Sequence, residues 1–376
     1  MTVDTDRIAQ EAVDLISKKI KNLNTLNIIV AGKTGVGKST LINAVFRDKL
    51  AQTGMGKPVT NHMRRISKKG VPLTIYDTRG FELGRKVQNE VKQEVVDTIN
   101  QGIATHDINK AIHCIWYCIN TASNRIEPEE IEWLRELSRE NQLTQVPIIV
   151  VLTQAFSKKN ANILRNILLE ENLDVVQIVP VLAEDYEIDD EYVAKAYGLD
   201  ILIRIVGEAL PEELMDTLQN VQIASLAEKK RYAQAAVATA TLAAAGEGAA
   251  PIPFSDCALL IPTQLTMITS ITVIFGFDIN KTMLAAFLSS TLGTGGATLL
   301  GKTVVSNLLK LIPGVGTVAG GAISAGTAGV ITAALGEAYI GIMELIFKGE
   351  MSVDDLVTNK GKEKMGKLFK EELKRR

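Results

Sequence analysis

The chain has 376 residues, 46% of them hydrophobic, which exceeds what one core normally organises and supplies apolar surface for two domains. A formal net charge of −2 argues against nucleic-acid binding through bulk charge, and no nucleic-acid partner is expected. Cys114, Cys118 and Cys257 are too scattered for a disulfide framework and read as reduced core residues, while His62, His106 and His113 form no metal-ligand pattern. The amino terminus, Met1-Thr2-Val3-Asp4-Thr5-Asp6, is acidic and lacks an apolar run, so a cytoplasmic chain without a secretory leader is expected. Ile8, Ala12, Leu15, Ile16 and Ile20 then recur at helical spacing and predict an added N-terminal helix.

Leu26 to Ala31 reads as a buried strand and Ser39 to Phe46 as the opening of a helix. Between them Gly32-Lys33-Thr34-Gly35-Val36-Gly37-Lys38-Ser39-Thr40 satisfies G-x-x-x-x-G-K-[S/T] in the strand, turn, helix order that this phosphate-binding pattern requires. Glycines let successive backbone N–H groups form an anion-binding nest at the helix N-terminus. Gly32, Thr34, Gly35, Val36, Gly37, Lys38, Ser39 and Thr40 are therefore the phosphate-binding candidates, with Lys38 on the β- and γ-phosphates and the Ser39 hydroxyl on Mg²⁺.

Val71 to Tyr76 is β-prone and delivers Asp77-Thr78-Arg79-Gly80 at its end. Asp77 there is placed to hold Mg²⁺ through water, and the Gly80 N–H to sense a γ-phosphate. D-x-x-G after a P-loop resembles the GTPase superfamily. That resemblance implies GTP or GDP as ligand, GTP hydrolysis with Mg²⁺ as cofactor, and a switch threonine in the Gly-rich connection Gly54 to Thr60, with Thr60 the candidate and Thr53 the runner-up. The implied catalytic set is Lys38, Thr60 and Gly80, and the implied metal set is Ser39, Thr60 and Asp77. Phe81 stands where Ras-like members keep a water-orienting glutamine, a replacement that resembles Era-, septin- and immunity-related GTPase-like proteins. Hydrolysis is then expected to be slow, with the missing group supplied in trans, for instance by a second G domain in a homodimer across the nucleotide face. Gly35 occupies the position where potassium-dependent members usually carry Asn, so potassium activation is not expected.

Val87 to Ala104 reads as a helix, Ala111 to Ile119 as a strand, and Pro128 to Arg139 as a helix opened by its proline. The strand Val146 to Leu152 ends in Thr153-Gln154-Ala155-Phe156, where the resemblance calls for N/T-K-x-D, so no aspartate stands where guanine would be read. The next strand, Val175 to Leu182, ends in Ala183-Glu184-Asp185. Thr153, Gln154 and Ala183 are the base-site candidates, and either Glu184 or Asp185 supplies the missing carboxylate or both are solvated loop acids. GTP over ATP rests on the resemblance. Helices over Asn160 to Glu171 and Leu199 to Leu210 complete an α/β, doubly wound, mainly parallel sheet with its ligand at the strand C-termini. Arg79, Arg85 and Arg125 lie near that edge, as an arginine finger for a partner or as surface arginines.

From Tyr232 onward the chain becomes rich in Ala, Gly and Thr with few charges: Ala233 to Gly246, Cys257 to Phe277, Met283 to Gly301 and Leu311 to Gly336. No strands are signalled. Pro251 to Asp256 reads as a helix stop followed by a cap at Ser255 or Asp256, and Ile312 to Gly316 as a second break. An all-α bundle of about four to six helices follows. These breaks, with Gln264 and Met267 between them, resemble DUF697, a helical region found fused to bacterial GTPase domains. Two of the runs are long enough to cross a membrane, and Gly316, Gly320, Gly321, Gly326 and Gly329 suit close helix approach. Their Thr, Ser and Ala content and a mean hydropathy of +0.13 fit a buried bundle equally well.

The tail combines Lys360, Lys362, Lys364, Lys367, Lys370, Lys374, Arg375 and Arg376 with an apolar face of Met365, Leu368, Phe369 and Leu373. Such a helix either lies on an anionic membrane or packs its stripe on the bundle. The expected organisation is an N-terminal helix (1–22), a G domain (23–211), a hydrophobic helical domain (212–350) and a basic tail (351–376). A nucleotide switch controlling the helical domain is the preferred function, and a membrane-associated nucleotide-binding scaffold with negligible turnover the alternative. An Era-like ribosome-assembly factor lacks the basic RNA-binding domain it needs.

Overall fold

The structure, a computed structural model, describes residues 5–47, 50, 55–58, 62–78, 80, 84–187, 191–247, 252–253, 260–292, 322–323 and 325–376. The chain divides into two compact units, Leu23–Glu228 and a second built from Met1–Asn22 with Lys229–Arg376.

In the first unit, β1 (Leu26–Ala31) leads through the glycine loop into α1 (Lys38–Val45). Then come β2 (Met55–Pro58), β3 (Met63–Ser67), β4 (Leu73–Thr78) and α2 (Gly84–Ala104). β5 (Cys114–Asn120), α3 (Pro128–Glu140), β6 (Ile148–Thr153), α4 (Lys158–Glu170), β7 (Gln177–Pro180) and α5 (Leu199–Ala209) follow. The sheet order is β2-β3-β4-β1-β5-β6-β7. β4, β1, β5, β6 and β7 pair in parallel, as the alternation of strands and helices predicts. β2 and β3 run antiparallel at one edge. They replace part of what the sequence presents as a polar connection, because a Gly- and Lys-containing edge strand has no apolar alternation to announce it.

β5 shows why this sheet is the centre of the unit. Cys114, Trp116 and Cys118 enter the core on one face, and Ile115, Tyr117 and Ile119 enter the core on the other, all buried. Trp116 stacks on Phe46 at 5.6 Å and Tyr117 on Trp133 at 4.9 Å. Burial pushes both cysteine thiols up to about 12, so Cys114 and Cys118 are inert core residues. The unit continues past Pro211: Leu214, Leu218 and Val221 join the same core cluster as Trp116, and the Ile223 amide donates to Val45 O at 2.8 Å.

The second unit contains the N-terminal helix Thr5–Lys21, which buries Ile8, Ala9, Ala12 and Ile16 and packs against the helices Ile261–Phe275 and Lys281–Leu292. Lys19 Nζ donates to Ser270 Oγ across that packing at 3.2 Å. The long helix Ala325–Phe347 lies against Ile261–Phe275 and against the C-terminal helix Asn359–Arg375. Its buried polar groups are paired: Tyr339 with Thr272 at 2.7 Å, and Thr332 with Gln264 at 3.2 Å. The wholly buried Lys229 closes the end of Ile261–Phe275 by donating to Ile274 O at 2.7 Å.

Three expectations for this half are corrected. Ile252–Pro253 pairs antiparallel with Ala322–Ile323, so two short strands exist where none were signalled. The helix expected from Cys257 to Phe277 runs Ile261–Phe275 in the structure, with Pro262 in its first turn; a capping role for Ser255 or Asp256 lies outside the described residues, as do Cys257 and the break at Ile312 to Gly316. The last long helix continues to Phe347, well beyond Gly336.

Thr327–Phe347 is long and apolar enough to cross a membrane, and 67% of its apolar window is buried within the protein. Gly329 of the glycine series faces Thr241 and Ala245. In the C-terminal helix Met365, Phe369 and Leu373 are buried and Leu368 approaches Gly341, so the apolar stripe packs on the bundle.

Candidate nucleotide site

Three loops at the C-terminal edge of the parallel strands meet here. Gly32 leaves β1 with φ 144°, and a Cβ added to it would stand 2.4 Å from Cys118 O, so only glycine lets the loop cross β5 this closely. Lys38, in the first turn of α1, folds back and donates to Gly32 O at 2.8 Å and Lys33 O at 2.9 Å. Its ammonium thus sits inside the loop. Ser39 and Thr40 are exposed beside it. Lys33 pairs at 3.4 Å with Glu130, a buried carboxylate in the first turn of α3. Burial raises the Glu130 pKa and Lys33 opposes the shift.

Asp77, near the end of β4, has one carboxylate oxygen 3.3 Å from Arg64 Nη2 and the other buried without a hydrogen-bond partner. Arg64 is its register partner on β3. Burial raises the Asp77 pKa, opposed by Lys38 and then Arg64. Gly80 lies against the P-loop: a Cβ there would fall 1.8 Å from Thr34 Oγ1. Thr34 and Gly80 are thereby brought together, and Asp77 is near enough to Lys38 to feel its charge.

The buried, unpartnered Asp77 oxygen and the exposed Ser39 hydroxyl are both hard oxygen donors of the kind Mg²⁺ takes. Among the described residues no group of three or more His, Cys, Asp or Glu side chains competes as a metal site. Thr60, with its alternative Thr53, and also Phe81 and Arg79 lie outside the described residues. Arg85 lines a separate groove with Trp133 between α2 and α3, and Arg125 pairs with Glu127 at 3.0 Å.

The base end is stitched to the phosphate end by β6. Thr153 Oγ1 reaches Val36 O and lies 3.1 Å from Ile119 O, and Gln154, held at φ 52°, donates from Nε2 to Gly35 O at 2.9 Å. Thr121 fixes this turn through the carbonyls of Thr153 and Gln154, both at 3.0 Å. Beyond it opens a cavity of about 390 Å³ lined by Gly37, Thr40, Thr153, Gln154, Phe156, Ala183, Glu184 and Asp185, among others. Val36 is buried behind the loop, and Gly35 is open to solvent. Phe156, in the place of the expected aspartate, packs against Tyr186 with ring centroids 4.4 Å apart.

Three participants escape the sequence reading. Arg64 needs the β3–β4 register, which no pattern signals. The Phe156–Tyr186 contact joins the turn after β6 to the short strand Tyr186–Glu187. Glu130 does carry a local signal, since Glu127 and Glu130 form a capping box around Pro128.

The glycine loop on β1, the aspartate on β4 and the base cavity on β6 and β7 define a P-loop nucleotide-binding domain of the GTPase type. Comparison with known proteins agrees: residues 27–154 match the family described as 50S ribosome-binding GTPase, and residues 213–376 match the domain of unknown function DUF697. Septin-9 of Homo sapiens is 26% identical over 215 residues, covering 50% of this chain and 36% of septin-9. Septin-9 of Rattus norvegicus is 31% identical over 157 residues, covering 35% of this chain and 27% of its own. The match thus spans well under two thirds of either relative's length. The crystal structure of Cdc11 from Saccharomyces cerevisiae aligns with a TM-score of 0.32 at 16% identity, covering 52% of this chain and 95% of that one. Two family models thus match the chain in succession, a GTPase model over residues 27–154 and DUF697 over residues 213–376.

Proposed function

We propose that this chain binds GTP and GDP with Mg²⁺ at the C-terminal edge of the sheet and acts as a slow GTPase switch. The observation that carries the reading is the convergence of Lys38, Asp77 and Gly80 on one loop, with an unpartnered Asp77 oxygen waiting beside the lysine. Lys38 exchanges its two loop carbonyls for phosphate oxygens, which offer full negative charge in their place. Ser39 and Asp77, with Thr60, would hold Mg²⁺, whose chemistry is to neutralise charge on the β- and γ-phosphates. Asp77 serves this role in its ionised form, which Lys38 and Arg64 favour. The Gly80 amide reports whether the γ-phosphate is present.

Phe81 cannot orient a water by hydrogen bonding, and the rate therefore depends on a group brought by a partner, most simply a second copy meeting the nucleotide face. The helical unit is the element reset by hydrolysis. Single-turnover hydrolysis measured across protein concentration, with and without anionic vesicles, tests this. Acceleration with concentration supports the dimerising switch, acceleration only with vesicles supports a membrane-dependent one, and no turnover under any condition leaves a nucleotide-binding scaffold and overturns the enzyme.

A further inference from the structure

The base cavity contains a carboxylate with nothing to do. Two acids line it, Glu184 and Asp185, next to Gln154, Phe156 and Ala183. Asp185 is committed: one oxygen lies 2.8 Å from Lys195 Nζ and the other accepts the Ala196 N–H at 2.8 Å, so both tie the paired strands Tyr186–Glu187 and Val193–Ala194 together. Glu184 is exposed and, among the described residues, makes no hydrogen bond or ion pair. The position that the GTPase pattern reserves for an aspartate is filled by Phe156, whose ring is packed on Tyr186 and offers no polar group. Guanine presents two adjacent donors, N1–H and the N2 amino group, to any reader. A carboxylate matches both, whereas adenine's N1 lone pair would face it with repulsion.

We propose that Glu184 is the specificity-determining residue that reads guanine N1 and N2 in this site, replacing the absent aspartate from the opposite loop. The proposal rests on the nucleotide-binding reading above. Gln154 and Thr153 tie the base loop to the P-loop, while Phe156 and Tyr186 wall the cavity beside Ala183 and Glu184.

The test is equilibrium competition against a fluorescent GDP on the full chain with Mg²⁺, using GDP, IDP, XDP and ADP. The wild-type protein binds GDP about tenfold or more tightly than IDP, which lacks the N2 donor, as loss of one hydrogen bond to a charged group produces. Glu184→Gln keeps the melting temperature and reverses the order: GDP weakens by about tenfold or more, and XDP, whose C2 carbonyl accepts from the glutamine amide, strengthens by a similar factor. Asp185→Asn keeps GDP ahead of XDP. Equal wild-type affinity for GDP and IDP, an unchanged GDP to XDP ratio in Glu184→Gln, or a reversal caused by Asp185→Asn overturns the assignment of Glu184 while leaving nucleotide binding intact. A wild-type chain that binds no guanine nucleotide overturns the nucleotide reading and this assignment together.

Discussion

Gly80 lies so close to Thr34 that a Cβ on the glycine would stand 1.8 Å from the threonine Oγ1 and 2.2 Å from its amide nitrogen. Gly80 is thus seated on the phosphate loop. Gly80→Ala must push the two apart, because the nearest atoms include backbone. We expect GDP affinity to change by less than about threefold, while GTP weakens by about tenfold, the worth of one hydrogen bond to a charged group. Competition binding of the two nucleotides checks it, and an unchanged GTP to GDP ratio would refute the sensing role.

Gln154 carries a different expectation, because its amide donates to Gly35 O of the phosphate loop. Gln154→Ala removes one neutral hydrogen bond worth about 1 kcal/mol, so all nucleotides should weaken by roughly fivefold, GDP and IDP alike. A base-dependent loss would show that Gln154 reads the base itself.

His113 gives the fold a pH dependence away from the site. Burial pushes its imidazole down to about 4 from the ordinary 6.5, against a smaller opposing effect of the Ile108 backbone, and its Nδ1 accepts the Asn27 N–H at 2.9 Å. Between those two pH values the unfolded chain binds the proton and the folded one does not. Stability therefore falls as pH drops below 6.5 and stops falling near 4, a span of about 3 kcal/mol. His113→Asn keeps an acceptor without the titration, and urea unfolding at pH 7 and pH 4.5 should show its pH penalty smaller by about 2–3 kcal/mol. Equal penalties in the two proteins would contradict the assignment.

In the C-terminal helix, Phe369 is 1% exposed and its neighbours Lys364 and Lys370 face solvent. Phe369→Ala should destabilise the helical unit by about 3–5 kcal/mol, and Lys364→Ala by less than about 0.5 kcal/mol. Hydrogen exchange across residues 359–375 reads both, and protection surviving in Phe369→Ala would show that the stripe does not anchor the helix.

The nucleotide edge was legible because its residues are short-range: Gly32 to Thr40 and Asp77 to Gly80 each specify a turn at the end of one strand, and the strands themselves are buried runs. Arg64 beside Asp77 was not, since it depends on the pairing of an edge strand that lacks apolar alternation. The alanine- and glycine-rich half announced helices but not their partners, as apolar residues on every side leave no face to read. The N-terminal helix makes the same point: its stripe was plain, yet Lys19 meets Ser270, 251 positions away. The stripe of Met365, Phe369 and Leu373 fitted a membrane or a bundle equally, and only the packing against the long helix Ala325–Phe347 separates them.

Lys38, bonded to the carbonyls of Gly32 and Lys33, is the residue on which a guanine-nucleotide site here depends most. Binding of fluorescent GDP to the wild-type chain and to Lys38→Ala, each with Mg²⁺, tests it most directly. Saturable binding by the wild type is expected, with a loss on the order of 100-fold in the variant, the worth of about two charge-assisted hydrogen bonds. Equal affinity in the two proteins, with both folded by circular dichroism, would contradict it.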